Sequence, residues 1–219
     1  MNLMLMTDEL AMTGILALII LTDLFGAQKK VIASFFTAAV LGLFVYALLH
    51  RQDAAMLMGG YVYDGLSWFS KLAILLAAFL TGLLSMDTIK VNEKRAGAYY
   101  TLLAASTLGM MFLVSSKELI TMYAGLELAT ISLYALAAIY KREDISLEAG
   151  IKYVILGAMS SGILLYGISL IYGVTRTTYL DGIMSFAASG SAEPVLIIAV
   201  IMTLLGAGFK LSMVPMHVW

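Results

Sequence analysis

The chain has no cysteine among its 219 residues, which excludes disulfides and thiolate-held iron–sulfur clusters from it. Histidine is scarce too: His50 and His217 stand in different segments, so a haem held by two histidines is not expected. No Walker A sequence occurs and no glycine-rich dinucleotide fingerprint follows a strand pattern. We therefore expect no cofactor in this chain and no nucleic-acid partner.

Charge is also sparse, at 12% of the residues, whereas 62% are hydrophobic and the mean hydropathy is +0.96. Soluble domains carry about 25% charged residues. The sequence therefore predicts an all-α membrane protein, a polytopic helical bundle of about seven transmembrane helices. The predicted spans are Leu10–Phe25, Val31–Leu49, Leu66–Ser85, Ala98–Ser115, Leu119–Ile139, Ile151–Tyr172 and Pro194–Val214.

The last predicted span contains a proline that should break it. Pro215 has no backbone N–H to donate and clashes with the preceding turn, so we expect the break between Ser212 and Pro215. Breaks at bilayer depth are tolerated where they line a cavity, and they often mark transport sites. Because the sequence stops at Trp219, just after this break, we expect the chain to be a fragment of a longer protein.

Lysine and arginine in the short connections predict the orientation in a bacterial inner membrane. The connections after spans 1, 3 and 5 are richer in basic residues than those after spans 2, 4 and 6, so the amino terminus is predicted to lie outside. The first group is Lys29, Lys30, Lys90, Lys94, Arg95, Lys141 and Arg142; the second is Arg51, Lys117 and Arg176.

The fifth predicted span carries a carboxylate where hydrocarbon is expected. Glu127 follows Glu118 by nine residues in an otherwise apolar run, which places it roughly 14 Å inside the segment, near the bilayer centre. An ionised carboxylate there is costly unless it is paired, hydrated or protonated. Lys152 and Lys210 lie in later apolar runs. Three such groups indicate a chain that handles charge across the membrane.

Glu127 and Lys210 are of the right types to form a tunable proton-transfer pair. Burial lowers the pKa of a lysine and a nearby carboxylate raises it again, so a change in their separation loads or expels a proton. The sequence does not show whether the two residues meet. The alternative is a static buried ion pair that fixes helix packing.

Lys152 and His217 are further candidates for proton transfer, each with an alternative. Lys152 lies four residues after Glu148, a spacing that fits an exposed helical ion pair as well as a proton carrier or a modulator of Glu127. His217, just beyond the expected break, is suited to a proton relay because its ordinary pKa lies near neutrality. A plain hydrogen-bonded histidine explains it equally well.

Other polar residues of the spans are assigned structural roles. Lys71 and Asp23 lie near the ends of their spans and are interpreted as interfacial anchors. Gly157, Ser160 and Ser161 belong to a group of small residues in span 6, which is typical of close helix packing in lipid.

Three motifs stand in order along the chain: Tyr-Ala-Gly-Leu-Glu-Leu-Ala-Thr-Ile-Ser-Leu-Tyr around Glu127, Ser-Leu-Glu-Ala-Gly-Ile-Lys-Tyr ending after Lys152, and Gly-Ala-Gly-Phe-Lys-Leu-Ser-Met-Val-Pro-Met-His-Val-Trp from Gly206 to Trp219. Together they resemble the antiporter-like subunits, subunit N in particular, of the proton-pumping NADH–quinone oxidoreductase, respiratory complex I. The similarity runs from about span 3 to the last residue.

The resemblance implies a fold of about fourteen helices, with two inverted five-helix repeats after an initial three. Residues 1–96 would be the initial three helices, and residues 97–219 an incomplete first repeat (helices 4–7). It assigns proton transfer to Glu127, Lys152, Lys210 and His217. The rest of the family's path would lie beyond Trp219.

The same resemblance implies a translocase subunit without a redox centre. NADH, FMN, iron–sulfur clusters and quinone would be handled by other subunits, and the partners would be the remaining membrane-arm subunits, the lipid bilayer and protons. Two rivals stay open: a subunit of a multi-subunit sodium/proton antiporter, and a membrane scaffold that transports nothing.

Overall fold

The computed structural model describes residues 3–57, 60–88, 95–140, 143–189 and 194–214, and it is a polytopic helical bundle, as predicted. Among those residues five helices, α2 to α6, are long and apolar enough to cross a membrane, and α8 is a shorter apolar helix. A 3-10 turn at Leu3–Met6 precedes α1. The helices are α1 Thr7–Leu24, α2 Lys29–Leu49, α3 Gly65–Thr88, α4 Ala96–Val114, α5 Leu119–Ala137, α6 Asp144–Thr175, α7 Leu180–Ala188 and α8 Pro194–Lys210.

Two helices, α1 and α7, make the predicted number of seven membrane spans approximate. Helix α1 coincides with the first predicted span but is 18 residues long and includes Asp8, Glu9 and Asp23. Three acidic residues in 18 positions give it a higher density of charged residues than any of α2 to α6. Helix α7, with nine residues, is too short to cross a bilayer and was not predicted.

A β-hairpin lies between α2 and α3, an addition to the predicted all-α fold. Strands β1 (Ala55–Leu57) and β2 (Tyr61–Tyr63) pair antiparallel. The amide of Val62 donates to the Ser115 carbonyl at 2.7 Å, which ties the hairpin to the connection between α4 and α5. We call this end of the bundle, where α1, α3 and α5 begin and α4 ends, the hairpin end. Strands of three residues are too short to give an alternation signal in sequence.

Glycines allow close helix contacts in the second half of the bundle. A Cβ on Gly109 of α4 would lie 2.5 Å from the Ala129 amide nitrogen of α5, and one on Gly206 of α8 would lie 2.6 Å from the Leu164 Cβ of α6. Only glycine permits such close approach, which is the usual basis of helix packing in lipid. As a result, the last turns of α8 lie against the middle of α6.

The predicted break after α8 is confirmed, and it begins earlier than expected. The helix ends at Lys210, Ser212 adopts a φ of +52°, and the Met213 amide donates to the Gly208 carbonyl at 2.9 Å. Pro215 and His217 lie outside the described residues. Lys210 is the last residue of α8, so its ammonium lies at the carboxyl end of the helix, where the helix dipole favours a cation.

Candidate ion-pair site

The candidate site lies between α5, α6 and α8, and each of these helices supplies part of it. Glu127, Thr130 and Tyr134 are spaced by three and four residues along α5 and therefore share one face of that helix. Ser161 comes from the middle of α6, and Lys210 from the end of α8. The close glycine contact of α6 with α8 places these last two side chains within reach of each other.

The sequence left open whether Glu127 and Lys210 meet, and the structure brings them together. Lys210 Nζ lies 3.3 Å from Glu127 Oε1, and the two side chains are only 6% and 16% exposed. The ammonium also donates to Tyr134 Oη at 2.7 Å, Ser161 Oγ at 3.0 Å and Thr130 Oγ1 at 3.3 Å. Four oxygen atoms therefore surround a group with three N–H bonds, which is ample compensation for its burial.

The hydroxyl of Ser161 bridges the two charges. Its Oγ accepts from Lys210 and lies 2.7 Å from Glu127 Oε1 and 2.9 Å from the Gly157 carbonyl oxygen. A hydroxyl has one proton to donate, so it can point to the carboxylate or to the backbone carbonyl. It can therefore donate to Glu127 when that side chain is ionised and turn to Gly157 when the carboxyl is protonated.

Tyr134 is held against the ammonium by a glycine of α6. A Cβ on Gly157 would lie 2.2 Å from the Tyr134 hydroxyl oxygen, so no larger residue fits there without moving the phenol. Lys210 Nζ also lies 5.3 Å from the centre of the Tyr134 ring, within range of a cation–π contact. The tyrosine thus contributes both a hydrogen-bond acceptor and a ring face to the buried cation.

The carboxylate and the ammonium line different cavities. A groove of about 750 Å³ between α5 and α6 includes Glu127 and extends to Ala138 and Leu147, at the end of the bundle opposite the hairpin end. A pocket of about 250 Å³ includes Lys210 and extends to Leu119, the first residue of α5, at the hairpin end. Tyr123 lines both cavities, so the ion pair lies where they adjoin, and they extend from there mainly towards opposite ends of the bundle.

Lys152 is not part of this cluster. Its ammonium forms an ion pair with Glu148, one turn earlier in α6, and both side chains are about two-thirds exposed, at 66% and 64%. Its neighbours Ile151 and Val154 line the groove that contains Glu127, but Lys152 does not. The expected i,i+4 pair therefore forms. A role for Lys152 or for His217 in proton transfer stays a prediction.

Sequence reasoning missed three residues of the site. Ser161 was attributed to packing, and Tyr134 and Thr130 were given no role, yet each contacts the buried ammonium. The available signal was periodicity: both α5 residues follow Glu127 at helical spacing and so must share its face. Ser161 has no comparable signal, because its contact depends on how α6 packs against α5 and α8.

The interpretation of Lys71 as an interfacial anchor is wrong. Its side chain is fully buried, and its Nζ lies 2.8 Å from Glu9 Oε1 and 3.8 Å from Asp8 Oδ2. The two carboxylates lie in the first turn of α1, and the hairpin covers the lysine through the rings of Tyr61 and Tyr63. A lysine near the end of a span reaches water only if no other element covers that end of the bundle.

Comparisons with known proteins agree with this architecture. The family described as "NADH:quinone oxidoreductase/Mrp antiporter, TM" matches residues 116–219. NADH-quinone oxidoreductase subunit N of Moorella thermoacetica is 42% identical over the full length of this chain, which spans 46% of that subunit. The chain thus covers about half the length of the curated relatives that it matches.

Two solved structures share the fold. A chain of respiratory complex I from Thermus thermophilus, determined with bound aureothin, superposes with a TM-score of 0.81 at 27% identity, over 97% of this chain and 46% of that one. A chain of the Mrp complex from Dietzia superposes with a TM-score of 0.75 at 17% identity, over 94% of this chain and 23% of that one. The second likeness is one of fold alone.

The helical bundle, with its buried carboxylate–lysine pair at the end of α8, defines the class of antiporter-like membrane subunits. Within that class, the chain belongs to the family of NADH-quinone oxidoreductase subunit N.

Proposed function

We propose that this chain is the proton-translocating part of a membrane-arm subunit of NADH–quinone oxidoreductase. Glu127 and Lys210 exchange a proton in the middle of the membrane, with Ser161 as the bridging hydroxyl. The observation that supports this role most is the ion pair at 3.3 Å, which lies where two adjoining cavities meet that extend mainly towards opposite ends of the bundle. A pair so placed can take up a proton from one cavity and release it into the other.

The proposal assigns the redox steps to other subunits. NADH oxidation, the FMN and iron–sulfur cofactors and quinone reduction would belong to partner chains, and this chain would respond through the position of its buried charges. The initial three helices (1–96) and the incomplete repeat (97–219) would together contact lipid and neighbouring membrane-arm subunits.

The cellular site is a bacterial inner membrane, with the amino terminus outside. The excess of basic residues in the connections after α1, α3 and α5 supports this orientation. Several of those residues, namely Lys90, Lys94, Lys141 and Arg142, lie outside the described part of the chain. In this orientation the hairpin end faces outwards.

The first test uses single substitutions in the full-length subunit of the assembled complex. Glu127→Gln and Lys210→Gln should each lower the number of protons pumped per NADH oxidised by about tenfold or more, because each removes one member of the transferring pair. Ser132→Ala is a matched control in α5, since its hydroxyl donates to the Leu128 carbonyl of its own helix. Wild-type pumping by both single variants would contradict the proposal.

A cation/proton antiporter subunit is the second candidate function. The matching family description includes the Mrp antiporters, and the fold is shared with a chain of an Mrp complex. The two functions are distinguished by replacing sodium with choline in sealed vesicles. A proton pump keeps its NADH-driven acidification, whereas a sodium/proton antiporter depends on the sodium gradient.

A further inference from the structure

A second group of buried charges lies at the hairpin end, away from the Glu127–Lys210 pair. It consists of Asp8 and Glu9 of α1, Lys71 of α3 and Tyr61 of β2, and we call it the hairpin-end cluster. The side chains of Lys71, Glu9 and Asp8 are 0%, 1% and 5% exposed. Burial of three ionisable side chains within one small cluster is costly, so the arrangement calls for a physical reason.

Lys71, Tyr61 and Glu9 form a continuous hydrogen-bonded network, and Asp8 joins it through its ion pair with Lys71. Lys71 donates to Tyr61 Oη at 2.9 Å, and that phenol in turn lies 2.9 Å from Glu9 Oε2 and 3.0 Å from the Leu5 carbonyl oxygen. Ser115, at the end of α4, donates to Glu9 Oε1 at 3.4 Å. Burial, followed by the Glu9 charge, raises the pKa of Tyr61, so the phenol keeps its proton at neutral pH.

The charges of the cluster do not balance when both carboxylates are ionised. Two carboxylates share one ammonium, at 2.8 Å and 3.8 Å. Among the described residues, the hydroxyls of Tyr61 and Ser115 also contact Glu9 and the ring of Tyr63 faces Lys71, and none of these groups is a cation. Arg51, from the connection after α2, stacks instead on the Trp68 ring. One additional proton on either carboxylate makes the cluster neutral.

The chemistry of the cluster parallels that of the Glu127–Lys210 site. Each has a glutamate paired with a lysine, a tyrosine that accepts from the ammonium and also presents its ring to it, and a serine that donates to the carboxylate, Ser161 from α6 and Ser115 from the residue after α4. The hairpin-end cluster differs by one extra carboxylate, Asp8. Asp8 gives Lys71 a second carboxylate partner. Among the described residues, Lys210 is paired with one carboxylate, Glu127.

We propose that the hairpin-end cluster is a second proton-binding site of the chain. One proton binds to Glu9 or Asp8, converting that carboxylate to a carboxylic acid, and Lys71 pairs with the one that remains ionised. Release returns the proton to water at the hairpin end and restores the state with two carboxylates. This inference rests on the proposed function, because it adds a proton-binding step to the same transport.

The test compares Asp8→Asn with wild type in the assembled complex. Asp8→Asn leaves the close Glu9–Lys71 pair intact, so a purely structural cluster would be unharmed or slightly stabilised by it. If the second carboxylate is needed to bind the proton, the number of protons pumped per NADH oxidised should fall by about twofold or more, with the amount of assembled complex unchanged. Asp8→Glu, which keeps the carboxylate, should retain most of the pumping.

Two further variants make the result decisive. Asp181→Asn removes an exposed carboxylate of α7 and should leave pumping unchanged. Glu127→Gln is measured alongside. Wild-type pumping by Asp8→Asn together with impaired pumping by Glu127→Gln would overturn the second proton site alone. Wild-type pumping by both would overturn the proposed function as well.

Discussion

The bridging hydroxyl of Ser161 gives the sharpest prediction about the Glu127–Lys210 pair, because the neighbouring serine is a natural control. The hydroxyl oxygens of Ser160 and Ser161 both lie within hydrogen-bond distance of the Gly157 carbonyl oxygen, at 2.8 Å and 2.9 Å, and both side chains are buried. Only Ser161 also contacts Glu127 and Lys210. Replacement of each by alanine therefore removes the same local backbone contact, and the difference between the two variants isolates the bridge.

The expected size of the effect follows from the contacts that are lost. In Ser161→Ala the ammonium keeps Tyr134, Thr130 and the carboxylate, but Glu127 loses the hydroxyl at 2.7 Å, its shortest hydrogen bond. A hydrogen bond to a charged group contributes about 1.5–3 kcal/mol. A difference of 1.36 kcal/mol is about tenfold, so we expect proton transfer to slow by roughly tenfold to a hundredfold.

The assay is NADH-driven acidification in sealed vesicles, normalised to the amount of assembled complex. Ser161→Ala should pump well below the wild-type rate, Ser160→Ala close to it, and Ser161→Thr, which restores a hydroxyl, better than Ser161→Ala. Equal rates for the two alanine variants would refute the bridging role of the hydroxyl. If both alanine variants pumped equally far below the wild-type rate, the loss would come from the shared contact with the Gly157 carbonyl and not from the bridge.

Two further predictions concern packing and pH. Gly157→Ala should displace the Tyr134 hydroxyl and lower pumping by roughly tenfold or more, about the loss of one charged hydrogen bond, whereas Gly162→Ala in the same helix meets no atom within 4 Å and should pump normally. The Ser67 backbone amide that bonds Asp64 holds the pKa of that carboxyl below its usual range. Its stabilising contribution is complete above the ordinary aspartate pKa and is lost as the pH falls through the lower folded-state value. Thermal unfolding of the complex should therefore show the wild type losing its advantage over Asp64→Ala on acidification; a constant difference across that range would contradict this.

The sequence predicted those parts of the fold that have a strong local signal. Apolar runs of membrane-spanning length predicted the long helices, and a proline after Lys210 predicted the end of α8 to within a few residues. The hairpin and α7 were missed because their stabilising contacts are distant. The β2 strand, for instance, bonds to the Ser115 carbonyl, 53 positions after Val62 in the chain.

The site was predicted in part for a similar reason. Glu127 and Lys210 are conspicuous because a charge in a long apolar run is costly wherever the helices lie. Their partners are ordinary serine, threonine and tyrosine side chains, whose role depends on which helix faces meet. The same limit explains Lys71, since its position near a helix end suggested access to water and only the packing of α1 and the hairpin shows that it is buried.

The most direct test of the central claim replaces both members of the central pair at once. Removing one partner of a buried ion pair leaves an unpaired charge that costs about 3–5 kcal/mol, whereas a joint apolar replacement is often neutral for stability. The double variant Glu127→Leu/Lys210→Met should therefore assemble. We predict that the assembled complex carrying it pumps far fewer protons per NADH oxidised than wild type. Wild-type pumping by this variant would show that the pair is a structural contact and would contradict its role in proton transfer.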